Sequence, residues 1–178
     1  EQLVAVHDAA QMIDHDHPVA IAVKRARPDV KVIGIQAEVC APYANQPAPE
    51  GPVLTLADGI AVKKPGAVTR PIIEHFLDDI VVVEEDDVAD AMILLMERGK
   101  LLVEGAGAVG ASALMRGLVK PATDGTTCVV LSGGNVDLGL VPGLVRRHET
   151  QAGRRLLLFA RIPDRPGGLA QLLTLLAA

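Results

Sequence analysis

Glu104, Gly105, Gly107 and Gly110 close an apolar run, LLVEGAGAVG at 101–110, with the glycine spacing that cradles a pyrophosphate in dinucleotide-binding folds. Two further clusters could approach a ligand in the same way: SGGN at 132–135, after a β-branched run, and the Asp58–Gly59 pair inside LADGIAV at 56–62. Ser132 offers a hydroxyl, Glu104 a carboxylate, and the glycines offer backbone that a ligand can crowd. Asp14, His15, Asp16 and His17 are metal-ligand types. Adjacent residues of an extended chain point in alternating directions, however, so a solvated loop is expected and no metal site is assigned. Cys40 and Cys128 lie far apart, outside any metal-ligand spacing, and read as small buried hydrophobes.

The glycine run invites a nicotinamide-dinucleotide reading, that of an NAD(P)-binding oxidoreductase domain. That reading needs an acidic residue about 20 positions later, at the end of the next strand, to hold the ribose. Here that strand ends in Ser132, and Asp124 lies in the turn before it, facing the wrong end of a sheet. Glu104 would also press a carboxylate toward the pyrophosphate. A plainer reading is that the small residues let a helix pack closely on a sheet.

The elements that must position these residues alternate along the chain as in an α/β fold with a mostly parallel sheet. Strands are predicted over 30–36 (VKVIGIQ), 79–84 (DIVVVE) and 127–132 (TCVVLS). Val88, Ala91, Met92 and Leu95 fall at helical spacing, with Asp86 and Asp87 before them as caps and dipole partners, predicting a helix over 88–100. Residues 66–77 predict a second helix that Pro71 bends or starts late. Residues 39–52, with four prolines and no hydrophobic period, predict a loop. After a helix over 140–153, a strand over 156–162 and a helix carrying Leu169, Leu172, Leu173 and Leu176 open a new unit. One strand and one helix cannot bury their own apolar faces, so this tail reads as the beginning of a domain.

With 178 residues and 49% hydrophobic content the chain supports a real core. No run reaches the roughly 18 apolar residues of a membrane span, and the N-terminal stretch lacks signal-peptide character, so no membrane partner and a cytoplasmic location are expected. A net charge of -5 and only Tyr43, Phe76 and Phe159 as aromatics argue against nucleic acid as a partner.

LADGIAV, LLVEGAGAVGASAL at 101–114 and VVLSGGNVD at 129–137, in this order, resemble the C-terminal half of the large domain in threonine dehydratases. These belong, with serine racemases and serine dehydratases, to the fold type II pyridoxal-phosphate enzymes. RARPDVKVIGIQAE at 25–38 resembles the strand before them, and DRPGGLAQLL at 164–173 resembles the opening of an ACT regulatory domain. The resemblance implies a three-layer α/β fold around a twisted, mostly parallel sheet, incomplete here, followed by the start of an ACT-like α+β domain. It divides the chain into an unassigned segment at 1–18, the C-terminal half of a catalytic domain at 19–150 and the regulatory start at 154–178. It implies pyridoxal phosphate as cofactor and loss of water from threonine, giving 2-oxobutanoate and ammonia in isoleucine synthesis.

By the same resemblance, Ser132 meets the pyridine nitrogen, Gly133 follows it, Gly59 allows close approach of backbone, and Glu104 stands at the cofactor pocket. A neutral hydroxyl can hydrogen-bond the ring nitrogen but cannot hold it as a full cation, which favours elimination over transamination. Asp164, Pro166, Gly167 and Gly168, with Arg165, match a loop where such regulatory modules bind an effector amino acid; a tight turn explains those glycines equally well. Dimers or tetramers are expected from the family. The family's Schiff-base lysine setting, Ser/Thr-x-Lys-x-Arg-Gly, and its phosphate-cradling glycine run have no counterpart here, since Lys24, Lys63 and Lys64 lack that context. No catalytic residue is therefore assigned, and the chain as written is expected to be inactive. His15–Pro18 resembles the family's HPFDHP stretch, which implies that part of the family's chain is missing before residue 19. Serine dehydratase or racemase, and a non-catalytic amino-acid sensor, are the remaining alternatives.

Overall fold

β2, Val32–Ala37, is the centre of the fold, and all six of its residues are buried. That pattern fits a strand covered on both faces, where a continuous apolar run replaces alternation. Ile33, Ile35 and Ala37 belong to the larger core cluster, whereas Val32 joins Ala20 and Val30 in a second cluster. Neighbouring residues of a strand point to opposite faces, so the two clusters are the two sides of the sheet. The computed structural model describes residues 4–8 and 18–177.

Among the described residues four strands run parallel in the order β3-β2-β1-β4: β1 Val4–Asp8, β2, β3 Asp79–Val83 and β4 Thr127–Val129. The N-terminal segment, unassigned from sequence, thus contributes a strand, with Ala5 opposite Val32 and Cys128. On one face lie α1, Pro18–Ala26, and α2, Thr69–Phe76, with Phe76 packed on the smaller cluster. On the other, α4, Gly105–Met115, packs across β1, β2 and β3, and α3, Glu85–Leu94, packs on α4. α4 therefore has neighbours all round. Its sequence, GAGAVGASALM, carries small residues where a solvent-facing helix would carry charge, and eight of them are buried. Three layers result, as the resemblance implies.

The helix expected over 66–77 starts late, at Thr69, which puts Pro71 in the first turn, where a missing N–H leaves no intrahelical bond unmade. The helix expected over 88–100 begins earlier, at Glu85, and closes in a π turn over Leu95–Gly99 before Lys100 turns left-handed at φ 58°. Asp86 and Asp87 lie inside the first turn and do not cap it; Glu84 holds the cap position with no side-chain bond. β4 ends at Val129, three residues short of the strand expected over 127–132, because its pairing with β1 ends where Val6 meets Val129. Cys40 is buried, but Cys128 is exposed, a correction that follows from β4 being the last strand of the sheet. The Asp14–His17 cluster lies outside the described residues.

Residues 146–178 form a second compact unit. α5, Val141–Gln151, runs into it, and α6, Gly168–Leu176, closes it. The strand expected over 156–162 does not form: the stretch has no ladder partner among the described residues, and Leu156, Leu157, Leu158 and Phe159 are exposed. A lone strand in water gains nothing over solvent for its backbone groups, so the chain stays irregular. No helix among the described residues is long and apolar enough to cross a membrane.

Candidate active site at the carboxyl ends of the strands

Parallel strands deliver their carboxyl ends to one edge of the sheet, the edge where open α/β sheets place ligands. After β4 the chain passes through Leu131 to the SGGN turn at 132–135; after β3 it enters α3; and a 3₁₀ turn at Asp58–Ile60 meets the same edge. The start of α4 is wedged between two of these loops. A methyl group on Gly105 would overlap the Leu56 carbonyl oxygen. One on Gly107 would overlap the Ser132 carbonyl oxygen and come within 2.7 Å of its carbon. These glycines allow backbone to touch backbone, so both loops close directly on the helix.

Glu104 is the cap residue of α4, in extended conformation at φ -67° and ψ 161°. Its N–H donates to the Gly133 carbonyl oxygen at 3.3 Å, and its side chain fills the space beside Gly133, which has φ 78° and could not carry a side chain without meeting that carboxylate. Ser132, Gly133 and Glu104 are thus brought together, as their motifs suggest. The Ser132 hydroxyl oxygen is buried and has no hydrogen-bond partner among the described residues. A buried hydroxyl left unmade costs about 1–3 kcal/mol, which marks it as a group awaiting a partner.

Beside these residues lies a cavity of about 270 Å³ lined by Thr55, Leu56, Asp58, Glu104, Asn135 and Asp137, with Met92, Val136 and Leu140 as its apolar side. Gly59 is one residue away from that lining, and its N–H is held by Asp58 Oδ1 at 2.9 Å, so Asp58 both shapes its turn and faces the cavity. Asn135 and Asp137 belong to the SGGNVD stretch and were legible as its continuation. Thr55 carried no signal of its own.

The same geometry disposes of the dinucleotide reading. The carbonyl oxygens of Leu56 and Ser132 crowd Gly105 and Gly107 in the first turn of α4, so these glycines serve backbone packing and their spacing is accounted for without a pyrophosphate. Elsewhere, burial pushes the Cys40 thiol up, with Lys63 acting in the opposite sense, so this cysteine is held as a neutral thiol away from the cavity lining. Among the described residues no group of three or more histidine, cysteine and carboxylate side chains could hold a metal ion. The effector loop expected from sequence stands in the second unit, with Gly167 left-handed at φ 89° and Gly168 against the Pro163 carbonyl oxygen; both glycines are accounted for by the turn into α6.

The family described as pyridoxal-phosphate dependent enzyme matches residues 19–133. The chain is 44% identical over 165 residues to an L-threonine ammonia-lyase of Geobacter sulfurreducens, covering 89% of this chain and 40% of the relative. To an L-threonine ammonia-lyase of Thermotoga maritima it is 38% identical over 171 residues, with the same coverage of both. Among solved structures, a threonine deaminase from T.th. superposes with a TM-score of 0.64 at 28% identity, covering 78% of this chain and 52% of that one. Maize serine racemase, at 24% identity and a TM-score of 0.64, shares the fold. The chain spans about two fifths of the length of the curated relatives it matches.

Proposed function

The chain belongs to the pyridoxal-phosphate dependent enzymes, and from that premise we propose that it supplies one wall of the cofactor site of a threonine ammonia-lyase. The observation that carries the reading is the buried, partnerless hydroxyl of Ser132 at the carboxyl edge of the sheet. A pyridine nitrogen is the kind of acceptor such a hydroxyl lacks. The residues fit the ring end of the cofactor: Ser132 would meet the nitrogen, Gly133 and Gly59 would let backbone approach, and Glu104 would face the ring from the cap of α4.

They do not make the phosphate end. Among the described residues three carboxylates and no lysine or arginine line the cavity, and an acidic pocket repels a phosphate dianion. The phosphate cradle and the Schiff-base lysine belong, in this reading, to sequence that the relatives have and this segment lacks.

When bound, the cofactor supplies an electron sink that loosens the bonds at the substrate α-carbon. The chain's own residues set which bond is lost. Ser132 would hold the ring nitrogen by a hydrogen bond without charging it, which would favour loss of the β-hydroxyl over transamination. Glu104 and Asp137 would set carboxyl groups beside the amino group of an amino-acid substrate in that cavity. Threonine is favoured over serine because the Geobacter and Thermotoga relatives are named for it. A cytoplasmic enzyme of isoleucine synthesis, dimeric or tetrameric and tuned by an amino acid at Asp164, Pro166, Gly167 and Gly168, completes the proposal.

The test uses the full-length gene product: visible absorbance of bound cofactor, and ammonia released from threonine and from serine. Cofactor uptake with threonine turnover supports the reading; turnover of serine alone moves it to the serine enzymes; silence in both defeats it.

A further inference from the structure

The loop that forms one side of the cavity begins in solvent, where Lys63 Nζ donates to the Gly51 carbonyl oxygen, and reaches the core at Ala57. Gly51 and Pro52 are exposed, and Leu54 is 97% exposed. Yet the next residues, Thr55, Leu56 and Asp58, line the cavity. A carboxylate from another element grips them. Glu85, in the first turn of α3, accepts the Thr55 hydroxyl proton on Oε2 at 2.7 Å and the Leu56 N–H on Oε1. Thr55 Oγ1 in turn accepts the Ala57 N–H at 3.0 Å, so its single proton is committed to Glu85. Glu85 is itself located by its own N–H, which donates to Glu38 Oε1 at 3.4 Å. The residue it holds, Leu56, is the one whose carbonyl oxygen meets Gly105 at the start of α4.

We propose that Glu85 is a positioning residue: it fixes the Thr55–Asp58 wall against α4 and so sets how tightly the cavity closes on its occupant. Only the identity of that occupant, cofactor and amino acid, rests on the lyase reading. A carboxylate is the side chain the geometry requires. Two donors, one hydroxyl and one amide, converge on it, and both need acceptor oxygens. Glutamine offers one oxygen and turns an NH₂ toward the other donor; aspartate is a methylene too short.

The test compares the parent with Glu85→Gln, Thr55→Val, the double variant and Thr55→Ser in the full-length gene product. Hydrogen exchange at the Leu56 and Ala57 amides is expected to quicken roughly tenfold or more in Glu85→Gln while α4 amides keep their protection. Affinity for pyridoxal phosphate, titrated by absorbance, is expected to weaken about tenfold in either single variant. The double variant should be little worse than one alone, since both remove the same contact, and Thr55→Ser should restore parent values. Unchanged protection at 56 and 57 overturns the proposal. So does a loss spread evenly over α3 and α4, which would make Glu85 a general support of the fold. If the parent itself takes up no pyridoxal phosphate, the lyase reading fails separately and the exchange measurement alone decides the role of Glu85.

Discussion

Ser132 separates what a residue does for the fold from what it does for a ligand. Its hydroxyl is buried and unsatisfied, so in the ligand-free chain Ser132→Ala removes a desolvated group that repays nothing. Urea midpoints of Ser132→Ala without cofactor are expected to equal or exceed the parent's, by up to about 1 kcal/mol. Pyridoxal-phosphate affinity is expected to fall. A variant that loses stability without cofactor would mean that the hydroxyl already has a structural partner, and the cofactor contact would lose its support. Ser132, Gly133 and Glu104 were legible in sequence because their motifs are short, contiguous and rich in glycine that no ordinary helix or strand needs. Thr55 and Glu85 were not. An acidic residue at the start of a helix reads as a dipole partner whatever else it holds, and only the path of a distant loop brings Thr55 within 2.7 Å of it.

At the scale of elements, hydrophobic period found what packing later used, and missed what packing alone decides. The apolar positions of α3 predicted their helix, and Val88, Ala91 and Met92 are buried against α4. Strand ends were less legible, because pairing is decided across the sheet and not by the run itself: the β-branched run at 127–132 yields only three ladder residues, although β1 runs on to Asp8. The strand expected over 156–162 failed for want of a neighbour among the described residues. One tie between elements has a pH signature. Asp78, just before β3, accepts the Val32 N–H on Oδ2 and pairs with Lys24 of α1 at 2.7 Å. Burial pushes its carboxyl up, but the hydrogen bond and charge of Lys24 and the Val32 N–H outweigh it and leave it below the ordinary value of 3.8. A carboxyl lowered on folding stabilises fully above that ordinary value and loses its contribution as pH falls through the lowered one. Asp78→Asn keeps an acceptor for Val32 while deleting the charge. Its urea midpoint is expected to lie below the parent's at pH 7, by about 1 kcal/mol for a pair only partly exposed, Lys24 at 16% and Asp78 at 38%. The two should converge as pH falls through the lowered value. Parallel curves through that range would remove Asp78 from the acid response.

At the scale of the whole molecule, the two units differ in how they satisfy their own apolar surface. Residues 1–145 bury Ile33, Ile35, Val83 and Val88 in one cluster, with helices on both faces of the sheet. Residues 146–178 leave Leu156, Leu157, Leu158 and Phe159 exposed, Phe159 at 91%, together with Leu169, Leu173 and Leu176 of α6. A short apolar stretch without proline, exposed and unpaired, is the composition that seeks a strand partner. Leu157→Lys with Phe159→Lys is therefore expected to lower the binding of a hydrophobic dye and reduce light scattering of the 178-residue chain. The main urea transition should stay within about 0.5 kcal/mol of the parent's, because neither side chain belongs to the core of the first unit. Dye binding and scattering that do not change would place the sticky surface elsewhere. A midpoint that falls by much more would mean that this stretch is covered in solution and contributes to folding.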